Sequence, residues 1–101
     1  MTALAMAAFC NVTSEAIAIR VWLTSVTEQW ATVAVAGPDS RDMLAPLTQI
    51  PLDNESLPFM AIADGEVAGI PARVVRVSFS GELAFEVNVD GRRGLELWEA
   101  I

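Results

Sequence analysis

The segment from Arg73 to Asp90 constrains the fold most, because its apolar and polar residues alternate with a period of two. In "RVVRVSFS" the residues Val75, Val77 and Phe79 share one face, and beyond Gly81 the alternation resumes with Leu83, Phe85, Val87 and Val89. Successive side chains of a strand point to opposite faces, so this pattern is typical of strands with one face against a core. Glu82 and Glu86 fall on the polar face.

The N-terminal half predicts a hairpin followed by a helix. The runs 21–26 and 30–37 are rich in β-branched and apolar residues, and the second is nearly continuous, so we expect it to be central and covered on both faces. A turn at 27–29 joins them. After Gly37-Pro38, Asp39 or Ser40 can cap a helix, and Pro46 limits that helix to about two turns.

The C-terminal half predicts three strands and a last helix. The strands are expected over 60–63, 68–80 and 83–89, with Asp64-Gly65 as a hairpin turn. In "RRGLELWEAI", Leu95, Trp98 and Ile101 have the spacing of an amphipathic helix. The sequence therefore predicts an α+β fold, a mainly antiparallel sheet with two or three helices in the order ββα then βββα. Because the helical pattern stops at Ile101 without a capping glycine, we expect a fragment of a larger protein.

Composition excludes several classes of function. The chain has 101 residues, enough for about one domain, and its net charge of −7 with no lysine would repel nucleic acid. It has no histidine and a single cysteine, Cys10, which argues against zinc sites, metal sites in general and His-dependent catalysis. No apolar run reaches the ~20 residues of a membrane span, so no membrane partner is expected, and a reducing, cytoplasmic compartment fits.

Several motifs occur in an order that resembles a known family. They are "TSVTEQWATVAVAGPDSRDML", "SLPFM" and "GIPARVVRVSFSGELAFEVNVDGRRGLELWEAI". Together they resemble the folate-binding aminomethyltransferase family, which includes the T-protein of the glycine cleavage system. The version "SFSGELAFEVNV" is most similar to the C-terminal domain of the alpha subunit of heterotetrameric sarcosine oxidase. The resemblance assigns 21–101 to a partial folate-binding domain, and 1–20 are expected to be a divergent or disordered segment.

The resemblance implies a role in one-carbon metabolism. Such enzymes oxidise the N-methyl group of sarcosine to an iminium and pass the one-carbon unit to tetrahydrofolate. NAD, FMN and FAD belong to the parent complex, with its other subunits as partners, and this chain has no G-x-G-x-x-G motif for a dinucleotide. The family's catalytic aspartate lies upstream of the matching region, so we expect no catalytic residue here and an inactive isolated chain.

Glu86 occupies the family position of the carboxylate that binds the pterin ring, and is therefore the expected folate-binding residue. A carboxylate can accept two hydrogen bonds at once from the N–H and amino groups of a pterin edge. Phe79 stands where the glycine cleavage enzymes have a tyrosine near the folate, so only packing is expected of it. Glu82 follows Gly81 and is interpreted as a residue of the strand break. For Arg73 and Arg76, cross-strand ion pairs are expected rather than contacts to a folate tail.

Two alternatives to the sarcosine oxidase interpretation remain at this point. The first is a fragment of a glycine cleavage aminomethyltransferase or of a dimethylglycine oxidase. The second is a non-catalytic interaction module that uses the same fold only to pack against a partner.

Overall fold

The computed structural model describes residues 20–101, which form a four-stranded sheet with two α-helices. Three short 3-10 turns accompany them, before β1, after α1 and before α2, at Thr27–Gln29, Ala45–Leu47 and Gly91–Arg93. The main elements are β1 Trp30–Ala36, α1 Ser40–Leu44, β2 Ile62–Val67, β3 Ile70–Val75, β4 Ala84–Asp90 and α2 Gly94–Ala100. The predicted α+β class, with a mainly antiparallel sheet and two or three helices, is confirmed.

The last strand lies inside the sheet. The strand order is β1-β4-β3-β2, and every neighbouring pair is antiparallel. Val87 of β4 faces Val33 of β1 on one side and Val74 of β3 on the other. The first strand therefore pairs with the last one, so both ends of the described chain are needed to complete the sheet.

The core covers one face of the sheet. Phe85, Val87 and Val89 of β4 are fully buried, as their alternation predicts. The helices α1 and α2 and the connection 48–61 contribute to the same core. The other buried apolar residues are Val35, Leu44, Leu52, Leu57, Val67, Ile70, Ala72, Val74 and Leu97. No described element lies over the opposite face, which is polar at its centre and carries Glu86.

The start of α1 is tied to the start of β4. The Leu83 carbonyl accepts hydrogen bonds from the Gly37 N–H at 2.8 Å and from the Ser40 hydroxyl at 3.2 Å. Asp39 makes no side-chain cap bond, so the predicted capping by Asp39 or Ser40 is wrong: Ser40 is buried and its hydroxyl donates to the Leu83 carbonyl instead. With the 3-10 turn that continues it, the helix has the two turns expected.

The predicted N-terminal hairpin is not present. Residues 20–26 form no strand, and 27–29 form a 3-10 turn. A β-branched run forms a strand only where a partner strand can complete its hydrogen bonds, and residues 21–26 pair with no described strand, which leaves one edge of β1 free in the described sheet. For the same reason β1 is an edge strand rather than the central one expected. The order ββα-βββα thus loses its first strand. The predictions for 1–19 lie outside the described residues.

Three predictions for the C-terminal half are also corrected: the position of a turn, the core-facing residue of β3 and the end of that strand. The hairpin turn lies at Ala68-Gly69, while Asp64-Gly65 lies within β2. The core-facing residue of β3 is Val74 rather than Val75, because pairing with β4 sets the phase of the strand. Strand β3 ends at Val75, so the predicted continuation to residue 80 is an irregular connection.

The buried face of α2 also differs from the predicted one. Leu97 is fully buried and Ile101 packs against the core, whereas Leu95 and Trp98 are 70% and 69% exposed. All of these positions have helical spacing, so periodicity within the helix does not decide between the two apolar faces. The direction from which α2 meets the sheet decides it.

Candidate functional site

The uncovered face of the sheet is formed by those alternate side chains of each strand that point away from the core. Its central strand β4 contributes alternate residues that lie between those of β1 and β3. One row across the sheet is polar, formed by Thr32, Asn88, Arg73 and Asp64; the next row contains Ala34, Glu86, Val75 and Ile62. A single carboxylate therefore lies among apolar side chains in the second row.

Glu86 is half-buried at the centre of this face. Its direct neighbours across the sheet are Ala34 of β1 and Val75 of β3. Within residues 20–101 no cation lies within 4.0 Å of its carboxylate, and no described side chain or backbone N–H donates a hydrogen bond to it. The acceptor capacity of Glu86 is therefore not used by the described protein atoms.

Small side chains lie beside Glu86 on the side toward the start of β4. Ala84 precedes it on the same face of β4, and Ala36 is paired with Ala84 from β1. With Ala34, these methyl groups form a low, apolar floor beside the carboxylate. A flat ring can lie on such a surface with one polar edge directed at the carboxylate.

The polar side chains of the neighbouring row form hydrogen bonds with one another. Arg73 Nε donates to Asp64 Oδ1 at 2.8 Å, and its guanidinium lies 5.5 Å from the centroid of the Trp30 ring. The Thr32 hydroxyl donates to Asn88 Oδ1 at 2.5 Å. The expected cross-strand ion pair of Arg73 is confirmed. Because Arg73 is held by Asp64, it does not neutralise Glu86.

Phe79 and Glu82 lie in the connection 76–83 between β3 and β4. Phe79 is 94% exposed, and Glu82 is exposed too. Glu82 lines a cavity of about 260 Å³ at the base of this connection, together with Phe59, Arg76 and Ser78. Neither Phe79 nor Glu86 lines that cavity. The structure therefore places Glu82 and Glu86 in different surroundings, and it does not bring Phe79 to Glu86. The folate contacts predicted for Phe79 and Glu86 stay predictions.

One cluster was missed from the sequence. Arg41 and Arg76 both donate to Asn54 Oδ1, at 2.7 and 2.8 Å, so the expected ion pair of Arg76 is wrong. Asn54 is 13 positions from Arg41 and 22 positions from Arg76, and the three residues lie in a helix, in a connection and directly after β3. No local motif signals such an arrangement, because only the packing of the connection 48–61 against the sheet brings it together.

Other chemistry-bearing features of the described chain are limited. In residues 20–101 no group of three or more His, Cys, Asp or Glu side chains is arranged to hold a metal ion. None of the helices in this part of the chain combines the length and apolarity that crossing a membrane requires. A cavity of about 420 Å³ at the other end of the sheet is lined by Trp30, Asp64, Arg73 and Asp90 among others, whose charges are already paired.

Comparison with known proteins identifies the family. The sequence model of the GCVT N-terminal domain matches residues 1–101. The chain belongs to this family. The resemblance to the aminomethyltransferases is thereby confirmed, and the sheet with its Glu86 face is part of a GCVT N-terminal domain.

Several curated proteins are similar to this GCVT-family chain. The sarcosine oxidase alpha subunit of Corynebacterium sp. strain U-96 is 51% identical over 83 residues, which are 80% of this chain and 9% of that protein. The aminomethyltransferase of Streptomyces coelicolor is 39% identical over 74 residues, 73% of this chain and 19% of that protein. Human mitochondrial dimethylglycine dehydrogenase is 30% identical over 81 residues, 80% of this chain and 9% of that protein. The chain thus spans about a tenth of the sarcosine oxidase subunit it matches.

Proposed function

We propose that residues 21–101 are a partial folate-binding domain of a larger protein similar to the alpha subunit of sarcosine oxidase, and that Glu86 binds the pterin ring. The observation that carries the proposal is the position of Glu86. Its carboxylate is half-buried at the centre of an uncovered sheet face, and no described cation or donor is bound to it. A carboxylate in such a place has its full acceptor capacity for a ligand.

The chemistry of a reduced pterin fits this position. Its ring presents an N–H and an exocyclic amino group on one edge, and the two oxygens of Glu86 can accept both hydrogen bonds. The methyl groups of Ala34, Ala36 and Ala84 leave room for the flat ring beside the carboxylate. Tetrahydrofolate, when bound, supplies the nitrogens that receive a one-carbon unit. The role of Glu86 is to fix the orientation of the ring, and Phe79 of the neighbouring connection packs against the ligand.

The reaction of the parent protein is part of the proposal, and the similarity to sarcosine oxidase alpha subunits supports it. The N-methyl group of sarcosine is oxidised, and the released one-carbon unit is transferred to tetrahydrofolate. NAD, FMN and FAD serve the oxidation in the parent complex and bind outside this chain, to the rest of the alpha subunit and to the other subunits. The isolated 101-residue chain is inactive under this proposal, and the parent works in the cytoplasm.

The test is a tetrahydrofolate titration of the full-length protein and its Glu86→Gln variant. Glutamine keeps the shape of the side chain but places an amide donor against a donor of the pterin. A hydrogen bond to a charged group contributes about 1.5–3 kcal/mol, so the dissociation constant should rise by about one to two orders of magnitude. Glu82→Gln is the matched control and should leave it unchanged. Equal affinity of the Glu86→Gln variant and the unmodified protein would contradict the assignment.

A second candidate is a parent that transfers aminomethyl groups without oxidising sarcosine, or one that oxidises dimethylglycine. The identities to an aminomethyltransferase and to a dimethylglycine dehydrogenase favour it. The parent gene distinguishes the candidates, because the sarcosine oxidase interpretation requires a dinucleotide-binding half before this region. A parent without that half would favour the second candidate while leaving the role of Glu86 intact.

A further inference from the structure

Two arginines of the described chain are held by neutral oxygens only. Arg41 donates from Nε to the Leu52 carbonyl at 2.9 Å and from Nη2 to Asn54 Oδ1 at 2.7 Å. Arg76 donates from Nη1 to the same Asn54 Oδ1 at 2.8 Å and to the Leu57 carbonyl at 3.0 Å. No carboxylate of residues 20–101 lies within 4.0 Å of either guanidinium.

This arrangement leaves positive charge uncompensated in an acidic chain. Because both guanidiniums bond one oxygen, the two donor nitrogens lie at most about 5.5 Å apart, where like charges repel. Arg73, Arg92 and Arg93 each face a carboxylate at 2.7–2.8 Å. The chain has 13 carboxylates for 6 arginines, so the lack of one beside this pair is a local feature and not a shortage.

Ser78, which lines the cavity next to Arg76, has an unsatisfied hydroxyl. The Oγ atom of Ser78 is buried and has no hydrogen-bond partner among the described atoms. Ser78 and Arg76 both line the cavity of about 260 Å³ at the base of the connection 76–83. A buried polar group without a partner costs stability, so an acceptor in this cavity would be stabilised by both side chains. The cavity is large enough for a small solute.

We propose that the cavity beside Arg76 and Ser78 binds a small oxyanion, either a carboxylate or a phosphate. The Nε and Nη2 groups of Arg76 donate to no described acceptor and can donate to the anion, the Ser78 hydroxyl can donate to it after a rotation of the side chain, and Arg41 adds positive charge through the shared Asn54. Glu82 lines the same cavity and weakens the binding by repulsion.

The oxyanion proposal rests on polar side chains other than Glu86. Arg76 follows Val75 at the end of β3 and turns to the core side of the sheet, where it reaches the Leu57 carbonyl. Glu86 points to the opposite face, beside Val75. The two sites therefore use different polar side chains, although Ala84 lines the cavity and also lies on the face of Glu86.

The test is binding of inorganic phosphate and of acetate to the full-length protein, by equilibrium dialysis at constant ionic strength in chloride. At least one of the two anions should bind saturably, and the choice between them distinguishes a tetrahedral from a planar ligand. Arg76→Gln should weaken this component at least tenfold. Arg73→Gln, which removes a charge on the opposite face, should leave it unchanged. Anion sites elsewhere in the protein do not respond to Arg76→Gln.

Asn54→Asp keeps the proposal testable if Arg76→Gln fails to fold. It exchanges the shared neutral oxygen for a carboxylate of almost the same shape, so the melting temperature should rise and the anion affinity should fall. Ser78→Ala should raise the melting temperature in anion-free chloride buffer, because it removes the unpaired hydroxyl, and should weaken anion binding severalfold. Glu82→Gln should strengthen binding.

Two results would overturn the oxyanion site. One is that neither phosphate nor acetate binds saturably. The same conclusion follows if Asn54→Asp and Arg76→Gln weaken saturable anion binding no more than Arg73→Gln does. The other is a lower melting temperature of Ser78→Ala in anion-free buffer, since that would show that the hydroxyl already has a partner in the folded protein.

Discussion

At the scale of single residues, Ala68 is held in a conformation that alanine rarely adopts. Its φ is 52° and that of Gly69 is 74°, and these two residues form the whole turn between β2 and β3. A two-residue turn with positive φ at both positions matches the twist of its strands, but asparagine or glycine is the usual first residue. The left-handed region costs alanine about 1–2 kcal/mol.

Ala68→Asn should therefore stabilise the hairpin. The substitution keeps the backbone N–H that donates to the Leu47 carbonyl at 2.7 Å. If about 1 kcal/mol of backbone strain is relieved, native-state hydrogen exchange of the β2 and β3 amides should slow about fivefold. Ala36→Asn, at an exposed end of β1, is the matched control and should not slow exchange. Unchanged or faster exchange in Ala68→Asn would argue against strain at this turn.

At the same scale, the carboxylate of Asp90 caps a 3-10 turn and has a lowered pKa. Its carboxylate accepts hydrogen bonds from the side chain and from the backbone N–H of Arg92, and so caps the 3-10 turn before α2. The hydrogen bonds from the Arg92 side chain, followed by the one from its backbone N–H, hold the pKa of Asp90 well below its usual range. The folded state thus favours the ionised carboxylate.

The pH dependence of stability follows from that direction. A depressed folded-state pKa contributes stability that is present above the unfolded pKa of about 3.9 and is lost as the pH falls toward the folded value. The unmodified protein should therefore be more stable than Asp90→Asn between pH 5 and 8. This difference in urea unfolding should narrow below about pH 4. A difference that stays constant down to pH 2, or one that Asp42→Asn reproduces, would refute the cap.

At the scale of elements, α2 packs on β1 at unusually short range. A Cβ placed on Gly94 would lie 2.5 Å from the Cβ of Ala31, closer than real side chains approach. Glycine is therefore required at the first residue of α2 because of the contact and not because of its backbone angle. This close contact helps to determine which side of α2 is buried. It is one reason why Leu97 rather than Leu95 faces the core.

Gly94→Ala should destabilise the protein by about 1–3 kcal/mol, the usual cost of forcing a methyl group into a packed contact. The measurement is urea unfolding followed by tryptophan fluorescence. In an Ala31→Gly background the clashing methyl is absent, so the same substitution should cost nothing further. Additive effects of the two substitutions would show that the helix does not contact β1 through these residues.

At the scale of the whole molecule, residues 20–101 share one core on one face of the sheet, and this core stabilises the described fold. Phe85 is fully buried there, in the central strand β4, and starts the row of buried residues that continues with Val87 and Val89. Phe79 is only six positions earlier, yet it is 94% exposed in the connection before β4. Of these two phenylalanines, therefore, only Phe85 contributes buried apolar surface to the stability of the described fold.

Phe85→Ala should destabilise the fold by about 3–5 kcal/mol, since it removes buried surface and leaves a cavity. Phe79→Ala is the matched control and should change the free energy of unfolding by less than about 0.5 kcal/mol. Both are measured by denaturant unfolding of the protein. A large loss in Phe79→Ala would mean that the connection is packed against another part of the molecule.

The sequence by itself determined the features that depend on neighbouring residues. The alternation in β4 placed Phe85 in the core and Glu86 on the open face, and Gly37-Pro38 located the start of α1. The α+β class followed from these local patterns, and the motif order identified the family. Such signals are readable because strand pleat and helix start are set within a few residues.

Only the tertiary structure decided which partner each element has. Residues 21–26 pair with no described strand, so β1 is an edge strand of the described sheet, and pairing of β3 with β4 put Val74 rather than Val75 in the core. The meeting of Arg41 and Arg76 at Asn54, and the choice of Leu97 over Leu95, depend likewise on contacts distant in sequence. Local propensity is nearly equal for the competing arrangements, so burial and hydrogen bonding between elements select one of them.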